Sequence, residues 1–324
     1  MALPSPLVSF VVPCYNYGRY LRDCLDRIFA QEGGYEIEVI AVNDGSPDNT
    51  IDILRSYSDP RLKIIDRREN RGHIFTVNEG MQAARGKYVV RIDPDDRHRT
   101  HFLKTLVPVL EADASIGLAY ANVAIMDDAG VINVERADTV HGGRDFTGNE
   151  LIALLKQNFI CAPTVIARRE AWMSAWPVPE GLAFNDWYFS LMLARRWTFH
   201  YCDDVLADYR VHGSNHHSKI SADGSEERSV IWLLDKLYAE TEADAALEAT
   251  KRAAMGEVYA YQYLDFATKY FGHGMNAESR RCFAEAWRWC PELFKQGPSL
   301  RLWLAALLPR PTYNSMKRLI KRGK

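Results

Sequence analysis

Short apolar runs rich in β-branched residues alternate with helical patterns through the first hundred residues of this 324-residue chain. The runs predict four strands, at Leu7–Val12, Glu38–Val42, Leu62–Ile65 and Tyr88–Ile92. Between them, apolar residues recur at the three- and four-residue spacing of amphipathic helices. Strands that alternate with helices form right-handed βαβ units, which build a mostly parallel sheet covered on both faces. We therefore predict an α/β fold.

The pattern loosens after about residue 115. Strands are predicted at Ile116–Ile125, Val131–Val134 and Val205–Val211, and helices at about 148–157, 169–175 and 186–196. From about residue 226 the apolar spacing is helical to the end of the chain. Ala277–Pro291 has the spacing of a tetratricopeptide-like helix, but a single copy does not make a repeat array. We predict one domain over residues 1–220 and a helical region over 221–324.

Charge is distributed unevenly along the chain. The formal net charge is −2, yet residues 295–324 hold eight of the 40 Lys and Arg residues and none of the 42 Asp and Glu residues. The remainder is therefore acidic, which argues against nucleic acid as a partner. Hydrophobic residues at 47% and charged residues at 25% exclude a disordered or coiled-coil chain.

The longest apolar stretches, Leu7–Val12 and Leu302–Leu308, fall short of the roughly 18–20 residues that span a bilayer. The N-terminus has no basic segment and prolines interrupt its apolar run, so we expect no signal peptide and a cytoplasmic protein. The six cysteines form neither a CxxC pair nor a zinc-site spacing. We expect them to be reduced thiols.

Polar residues follow each of the first four predicted strands. The segments are Pro13-Cys14-Tyr15-Asn16, Asn43-Asp44-Gly45-Ser46, Asn70-Arg71-Gly72 and Asp93-Pro94-Asp95-Asp96. Ligands of open parallel sheets bind at the carboxyl ends of the strands. An aromatic ring, amides, carboxylates and an arginine at one sheet edge suit a nucleotide.

The carboxylates Asp93, Asp95 and Asp96 are the sharpest local signal. They follow a buried apolar strand, where negative charge is costly without a cation or hydrogen-bond donors. Oxygen ligands of this kind suit Mg²⁺ or Mn²⁺ held partly by substrate phosphates. The alternative is a surface turn that caps the helix predicted to begin near Thr100.

Asp44 follows the second strand and precedes a glycine. Its carboxylate can accept a hydrogen bond from the imide of a uracil or from a ribose hydroxyl. The alternative is a helix cap for residues 49–57. The chain has no GxGxxG after the first strand and no GxxxxGK[ST], so the dinucleotide and P-loop sites lack their glycines.

These segments resemble family 2 glycosyltransferases, which have the GT-A fold. The matching pieces are Val8–Asn16, Val39–Ser46, Asn70-Arg71-Gly72, Asn78-Glu79-Gly80, Gly86-Lys87-Tyr88, Asp93-Pro94-Asp95-Asp96, Asn185-Asp186-Trp187-Tyr188 and Tyr209-Arg210-Val211-His212. The resemblance covers roughly residues 5–215. It implies a nucleotide-binding half over about 1–115 and an acceptor half over about 116–220.

The resemblance implies a role for each matching residue. Those that would line the base and ribose are Pro13, Tyr15, Asn16, Asp44 and Asn70. Asp93, with Pro94 beside it, would contact the ribose or metal side of the nucleotide. Asp95 would ligate Mg²⁺ or Mn²⁺, and His212 would help to hold the metal or a phosphate. Asp186 would be the general base that deprotonates the acceptor.

The implied activity is inverting transfer of a sugar from a nucleoside-diphosphate sugar, with UDP favoured, to a hydroxyl of a glycan or lipid-linked acceptor. Cell-envelope or surface polysaccharide synthesis is the expected setting. The alternatives are a nucleotidyltransferase acting on sugar phosphates, and a catalytically silent protein that binds nucleotide sugars. A nucleotidyltransferase usually has a Gly-rich basic loop after the first strand, which this chain lacks.

Two positions depart from the family pattern. Asn185 stands where the family usually has Glu before the catalytic Asp, which removes a negative charge beside Asp186. Arg196-Trp197 is similar to the QxxRW motif of processive synthases, but Leu193 occupies the Gln position. We therefore expect a non-processive enzyme.

The last residues form a basic amphipathic pattern. In residues 312–323, apolar and basic side chains lie mostly on opposite helical faces, and Trp303 and several leucines precede them. Such a segment can lie on an anionic membrane surface. We expect either peripheral attachment through 300–324 at the inner face of the plasma membrane, or a helix packed on the body.

Overall fold

The computed structural model describes residues 7–213 and 223–295, which divide into two compact units. The first unit contains residues 7–150 and 159–213, and the second contains 151–158 and 223–295. Residues 151–158 group with the helical unit, whereas they fall within the predicted domain 1–220. The basic segment 300–324 lies outside the described residues.

The first unit contains a large mixed sheet with helices between its strands. Its strands are β1 (Val8–Cys14), β2 (Ile37–Asp44), β3 (Leu62–Arg67), β4 (Tyr88–Arg91), β5 (Arg97–His98), β6 (Ile116–Met126), β7 (Ile132–Val134), β8 (Phe146–Gly148), β9 (Ile166–Arg168) and β10 (Thr198–Arg210). Its α-helices are α1 (Gly18–Phe29), α2 (Thr50–Arg55), α3 (His73–Ala83), α4 (Phe102–Ala112), α6 (Arg169–Ala175) and α7 (Asp186–Ala194). A short 3₁₀ helix spans Ala162–Thr164.

The strand order across the sheet is β3-β2-β1-β4-β9-β6-β10-β5. The four strands predicted first pair in parallel, and β6 pairs in parallel with β10. Strand β9 runs antiparallel between β4 and β6. The α/β prediction, with its mostly parallel sheet, is confirmed. Cys14 lies beside Asn43, and Val11 beside Arg91, so β1, β2 and β4 end at the same edge.

Three short strands were not predicted: β5, β8 and β9. Each has two or three residues, too few to show a period of two, and each is formed by pairing with a distant strand. Strand β10 begins seven residues before the predicted Val205. Its register against β6 shifts between Cys202 and Val205, and the irregularity there hides the strand pattern in the sequence.

Close packing between α3 and the sheet depends on Gly80. A Cβ atom at this position would lie 2.4 Å from Cγ1 of Val11 and 3.3 Å from Cγ2 of Val42. The helix therefore approaches β1 and β2 without a side chain between them. This approach fixes the start of α3 at the edge of the sheet where the polar segments follow the strands.

The second unit is helical. It contains α5 (Leu151–Lys156), α8 (Ser225–Ala239), α9 (Ala245–His273), α10 (Asn276–Trp289) and a 3₁₀ helix, Pro291–Lys295. The fully buried Lys251 on α9 donates to the carbonyl oxygens of Leu237 and Glu240 and to Glu242, at 2.7–3.0 Å. This ammonium group fixes the connection from α8 to α9. The helical pattern predicted for this region is seen throughout its described part.

Among the described helices, none combines the length and the apolar character needed to cross a membrane. The predicted membrane attachment depends on residues outside the described ranges.

His98 on β5 is fully buried, and its Nε2 lies 2.7 Å from the carbonyl oxygen of Pro163. Its ring stacks on Phe102 at 4.2 Å between centroids. Burial lowers the pKa of His98 to about 4. The unfolded chain, with a pKa of about 6.5, therefore binds this proton more tightly than the folded chain does.

We predict that His98 makes the fold acid-sensitive between pH 6.5 and about 4. Its stabilising effect is complete above pH 6.5 and is lost as the pH falls, by about 2 kcal/mol at pH 5. Urea unfolding at pH 7.5 and 5 measures the loss. The His98→Gln variant keeps a donor for Pro163 but does not titrate, so its stability should fall less. Parallel pH profiles for the two proteins would contradict this assignment.

Candidate active site

Four loops that follow strands meet at one edge of the first unit. After β1, the backbone N–H of Asn16 donates to Oγ of Ser46 at 3.2 Å, and that of Gly18 donates to Asp48 at 2.9 Å. Both contacts join the loop after β1 to the loop after β2. His73, at the start of α3, lies 4.0 Å from Asp93 after β4. The convergence expected of these strand ends is therefore present.

Asp44 holds the loop before α3 in place. Its carboxylate accepts from the backbone N–H groups of Arg71 and Gly72, both at 2.9 Å, and from the guanidinium of Arg67 at 2.8 Å. Gly72 has a φ of 91°, which favours glycine. The alternative of a cap for residues 49–57 does not describe Asp44, because Asp48 contacts Thr50 instead.

The other residues expected near the base are placed around Asp44. Pro13 is buried in β1, whereas Tyr15 is 45% exposed. Asn16 is exposed with a φ of 61°, the left-handed conformation that Asn tolerates. Asn70 is exposed, and its Oδ1 accepts from Gly72 at 3.0 Å. The loops at these strand ends thus present an exposed ring and exposed amides.

The turn after β4 carries the carboxylates Asp93, Asp95 and Asp96. Asp95 accepts from or donates to Nε2 of His212 at 3.0 Å, and Asp96 accepts from the backbone N–H of Arg210 at 2.8 Å. Both carboxylates are buried, as is Pro94, and they contact the end of β10. The alternative of a surface turn capping α4 does not describe residues so placed.

Crowding of negative charge shifts the titration of this turn. Burial, followed by the neighbouring Asp93, raises the pKa of Asp95 above its ordinary value, although the contact with His212 opposes the shift. Burial, with Asp95 and Asp93, raises the pKa of Asp96 well above its ordinary value. The carboxylates are thus less readily ionised here than in water, and a cation bound beside them would relieve the cost.

Arg210 connects the turn to a neighbouring loop. Its Nε donates to the backbone carbonyl of Asp95 at 2.7 Å, and its Nη1 donates to the carbonyls of Asp127 and Asp128 at 3.2 and 3.0 Å. The side chain is buried, whereas Arg19, which also lies beside Asp128, is exposed. Arg210 thus fixes the backbone on which Asp95 is placed.

Aromatic rings enclose His212. The rings of Tyr17 and Tyr20 lie 6.0 and 5.5 Å from its imidazole, measured between centroids. The hydroxyl of Tyr20 contacts Asp128. Burial and the nearby Asp95 raise the pKa of Tyr17 above its ordinary range, so this phenol stays neutral. The two tyrosines, which lie at the beginning of α1, therefore pack beside the His212 ring of the Asp95–His212 pair.

Arg91, the last residue of β4, connects two parts of the site. Its guanidinium contacts the carboxylate of Asp93, and its Nη1 donates to Oδ1 of Asn185 at 2.8 Å. Asn185 immediately precedes α7, and Asp186 is the first residue of that helix. Through Arg91, the turn after β4 and the helix carrying Asp186 are held together.

Asp186, Asn185 and Arg91 line one cavity of the first unit. Its apolar wall includes Val165, Trp172, Val178, Phe189 and, from the 3₁₀ helix, Ala162. Asp44 and Asp95 do not line it. Asp95 is connected to the cavity through its turn, because it shares that turn with Asp93, and Asp93 contacts Arg91.

The wall at Val178 is positioned from α3. Asn78 donates from Nδ2 to the carbonyl of Val178 at 3.0 Å, and its Oδ1 accepts from the backbone N–H of Val178 at 3.1 Å. This pair of hydrogen bonds is the backbone-like pairing that an amide side chain can make. The segment Asn78-Glu79-Gly80 thus links the sheet to the cavity wall. Gly80 packs against the sheet, and Asn78 binds Val178 in the wall.

The residues predicted to bind a metal fit that role in part. Asp95 and His212 are adjacent and supply oxygen and nitrogen ligands, and Mg²⁺ or Mn²⁺ often takes one or two protein ligands with the rest from phosphates and water. Among residues 7–213 and 223–295, no three His, Cys, Asp or Glu side chains form a complete metal-binding group. Phosphate oxygens would have to complete the coordination.

Several residues of this site were not predicted, among them Arg67, Arg91, Tyr17 and Tyr20. Arg91 is a charged residue at the end of an apolar strand, directly before the carboxylate turn, and this position is a signal in the sequence. Its partner Asn185 could not be predicted, because the two residues are 94 positions apart. Tyr17 carries no motif of its own. Arg210 was part of a quoted segment, without a role.

A model of the family described as glycosyl transferase family 2 matches residues 9–174, just over half of the chain. The chain belongs to this family. A glycosyltransferase of Haemophilus influenzae is 28% identical over 251 residues, covering 72% of this chain and 76% of the relative. The glycosyltransferase GlyG of Streptococcus pneumoniae is 36% identical over 122 residues, covering 36% of this chain and 40% of GlyG. The protein is a glycosyltransferase.

Solved structures share the fold of this glycosyltransferase. S. aureus TarS 1–349, in complex with UDP-GlcNAc, has a TM-score of 0.67 at 17% identity and covers 92% of this chain and 90% of its own. The mannosyltransferase PcManGT from Pyrobaculum calidifontis, in complex with GDP-Man and Mn²⁺, has a TM-score of 0.60 at 18% identity, with 96% and 83% covered. The predicted GT-A fold is confirmed.

We predict that Arg210→Lys lowers the free energy of unfolding by about 1–3 kcal/mol, because a lysine cannot satisfy all the buried carbonyls that Arg210 contacts. Urea unfolding measures the change. Arg19→Lys is the matched control, since it alters an exposed arginine near the same Asp128 and should change stability by less than about 1 kcal/mol. Equal effects of the two substitutions would contradict the conclusion that Arg210 fixes the backbone at Asp95.

Proposed function

We propose that this enzyme is an inverting, metal-dependent glycosyltransferase that uses a nucleoside-diphosphate sugar, with UDP favoured. The acceptor is a hydroxyl of a glycan or lipid-linked molecule in cell-envelope or surface polysaccharide synthesis. The observation that carries the proposal is the Arg91 bridge, which joins the carboxylate turn to the helix that begins with Asp186. This bridge would bring the donor site and the general base side by side.

The sheet edge supports a nucleotide donor. Buried Asp44 and exposed Tyr15, Asn16 and Asn70 together offer a carboxylate, a ring and amides to a base and ribose. Two relatives in fold carry nucleotide sugars, UDP-GlcNAc on TarS and GDP-Man on PcManGT. Arg67 and the backbone of the loop before α3 hold Asp44 in place, so this part of the pocket is pre-organised.

The carboxylate turn supports a divalent cation. Asp95 and His212, with Asp93 beside them, would hold Mg²⁺ or Mn²⁺, and PcManGT carries Mn²⁺. When bound, the cation would neutralise charge that develops on the departing diphosphate. Arg210 fixes the backbone carbonyl of Asp95 and, through the contacts with Asp127 and Asp128, keeps the turn from moving away from the donor.

Asp186 is the proposed general base. It would take the proton of the acceptor hydroxyl as the oxygen attacks the anomeric carbon from the face opposite the diphosphate, which inverts the configuration. Direct displacement needs one such carboxylate, unlike the pair used by glycoside hydrolases. Asn185 beside it is neutral, so it does not compete with Asp93 and Asp186 for the positive charge of Arg91.

A cytoplasmic location and peripheral membrane attachment stay predictions. The attachment depends on residues 300–324, and vesicle co-sedimentation of the full chain is its measurement. Binding to anionic but not neutral vesicles would support attachment through the basic segment.

We predict that a nucleoside diphosphate and Mn²⁺ together raise the melting temperature more than either does alone, because ligands that bind only the folded state stabilise it. Thermal shift with UDP, GDP and dTDP, with and without Mn²⁺, measures this and identifies the base. Asp95→Asn should remove the Mn²⁺-dependent part of the shift. Full retention of that part in the variant would contradict Asp95 as a ligand.

We predict that Asp186→Asn lowers kcat by about 100- to 10,000-fold, since a general base contributes about that factor. Donor binding, measured by calorimetry, should remain within about threefold. Asp265→Asn, which changes an exposed carboxylate on α9, is the control and should leave turnover unchanged. Release of nucleoside diphosphate is the assay, and release of pyrophosphate would instead favour the nucleotidyltransferase. Unchanged turnover in Asp186→Asn would contradict the assignment of Asp186 as the general base.

A further inference from the structure

Two residues that line the cavity beside Asp186 carry buried hydrogen-bond donors without partners. Asn185 is only 5% exposed, and its Nδ2 contacts no hydrogen-bond partner. Because Oδ1 of the same amide is held by Arg91, the orientation of the group is fixed and Nδ2 is the atom left over. Nε of the buried Arg91 also lacks a partner. A buried donor without a partner is costly, and both residues line the same cavity, so the pair calls for a ligand that supplies an acceptor.

Apart from Asp186 and Ser190, the other residues that line the cavity are apolar. Trp172 and Phe189 lie with their ring centroids 3.5 Å apart, and Val165 and Val178 also line the space. An apolar wall favours an apolar part of a ligand. The cavity therefore matches a group that is an oxygen acceptor at one end and a hydrocarbon at the other.

The cavity is small. Its volume is about 20 Å³, on a scale on which one water molecule needs about 10–15 Å³. A substituent of a few atoms fits this space, and a whole sugar ring does not. The ring would have to lie outside, at the side of the cavity where Asp186 and the Asp93–Arg91 pair are found.

We propose that this cavity takes the acetamido group of an N-acetylated sugar. The carbonyl oxygen would accept from Nδ2 of Asn185 and from Nε of Arg91, and the methyl group would contact Trp172 and Val178. A carboxylate substituent is disfavoured, because Asp186 lines the same cavity and Asp93 neighbours it. A hydroxyl would leave the apolar wall without a contact. The inference rests on the proposed function and names its substrate class.

The test compares sugars that differ only at C2. UDP-GlcNAc against UDP-Glc, and UDP-GalNAc against UDP-Gal, are titrated into the full chain with Mn²⁺ by calorimetry. A second arm titrates methyl β-GlcNAc against methyl β-glucoside, with UDP and Mn²⁺ present and again without them. In at least one arm, we expect the acetamido sugar to bind at least about tenfold more tightly than its hydroxyl counterpart. Discrimination of this size is expected when a group that fits a pocket is lost.

Two variants test the cavity itself. Asn185→Asp keeps an oxygen for Arg91 but removes the donor, and Ser190→Leu fills space in the cavity without changing the donors. Both should reduce the acetamido preference to within about threefold. Because each protein is judged by the ratio within a matched pair, a general loss of affinity does not affect the result. Ser174→Leu, on α6 but outside the cavity lining, should keep the ratio.

The outcomes are distinct. Preference in the nucleotide-sugar pairs assigns the acetamido group to the donor, and preference in the free-sugar pair assigns it to the acceptor. Equal binding within every pair would overturn the inference while leaving the proposed function in place, and so would a preference that survives both variants. Failure of every uridine nucleotide to bind would contradict the proposed donor, and the free-sugar pair would then decide the cavity's ligand.

Discussion

Two buried carboxylates at the end of β4 impose the main requirement on this structure. Asp95 and Asp96 are removed from water beside Asp93, and such charge must be matched by donors or cations. The partners of the carboxylates come from the far part of the chain, from His212 and from the backbone N–H of Arg210, while the Arg210 side chain donates to the backbone carbonyl of Asp95. Strand β10 must therefore reach this edge, and its pairing with β6 carries it there.

The same requirement explains which parts of the molecule could be predicted from the sequence. The four parallel strands and the segments after them follow from local periodicity and from a general rule about strand ends. The contacts that complete the site do not, because Arg91–Asn185 and Arg210–Asp95 join residues about a hundred positions apart. The short strands β5 and β9 escaped prediction for the same reason, since long-range pairing alone creates them.

The departure from the family pattern at Asn185 takes on a physical meaning in this setting. A carboxylate at that position would compete with Asp93 for the guanidinium of Arg91. The amide instead accepts one hydrogen bond from Arg91 and keeps an N–H₂ group of its own. Membership of glycosyl transferase family 2 therefore defines the chemistry, while a single side chain changes what lies beside the base.

The amide of Asn78 has a consequence for how such an enzyme diverges. Its two hydrogen bonds fix the position of the Val178 backbone in the cavity wall. Asn78 itself belongs to a helix packed on the sheet and does not line the cavity. A substitution in α3 could thus reshape the pocket from behind, at a position where a comparison restricted to pocket-lining residues would find no difference. The shape of the pocket then depends on the scaffold as well as on the residues that line it.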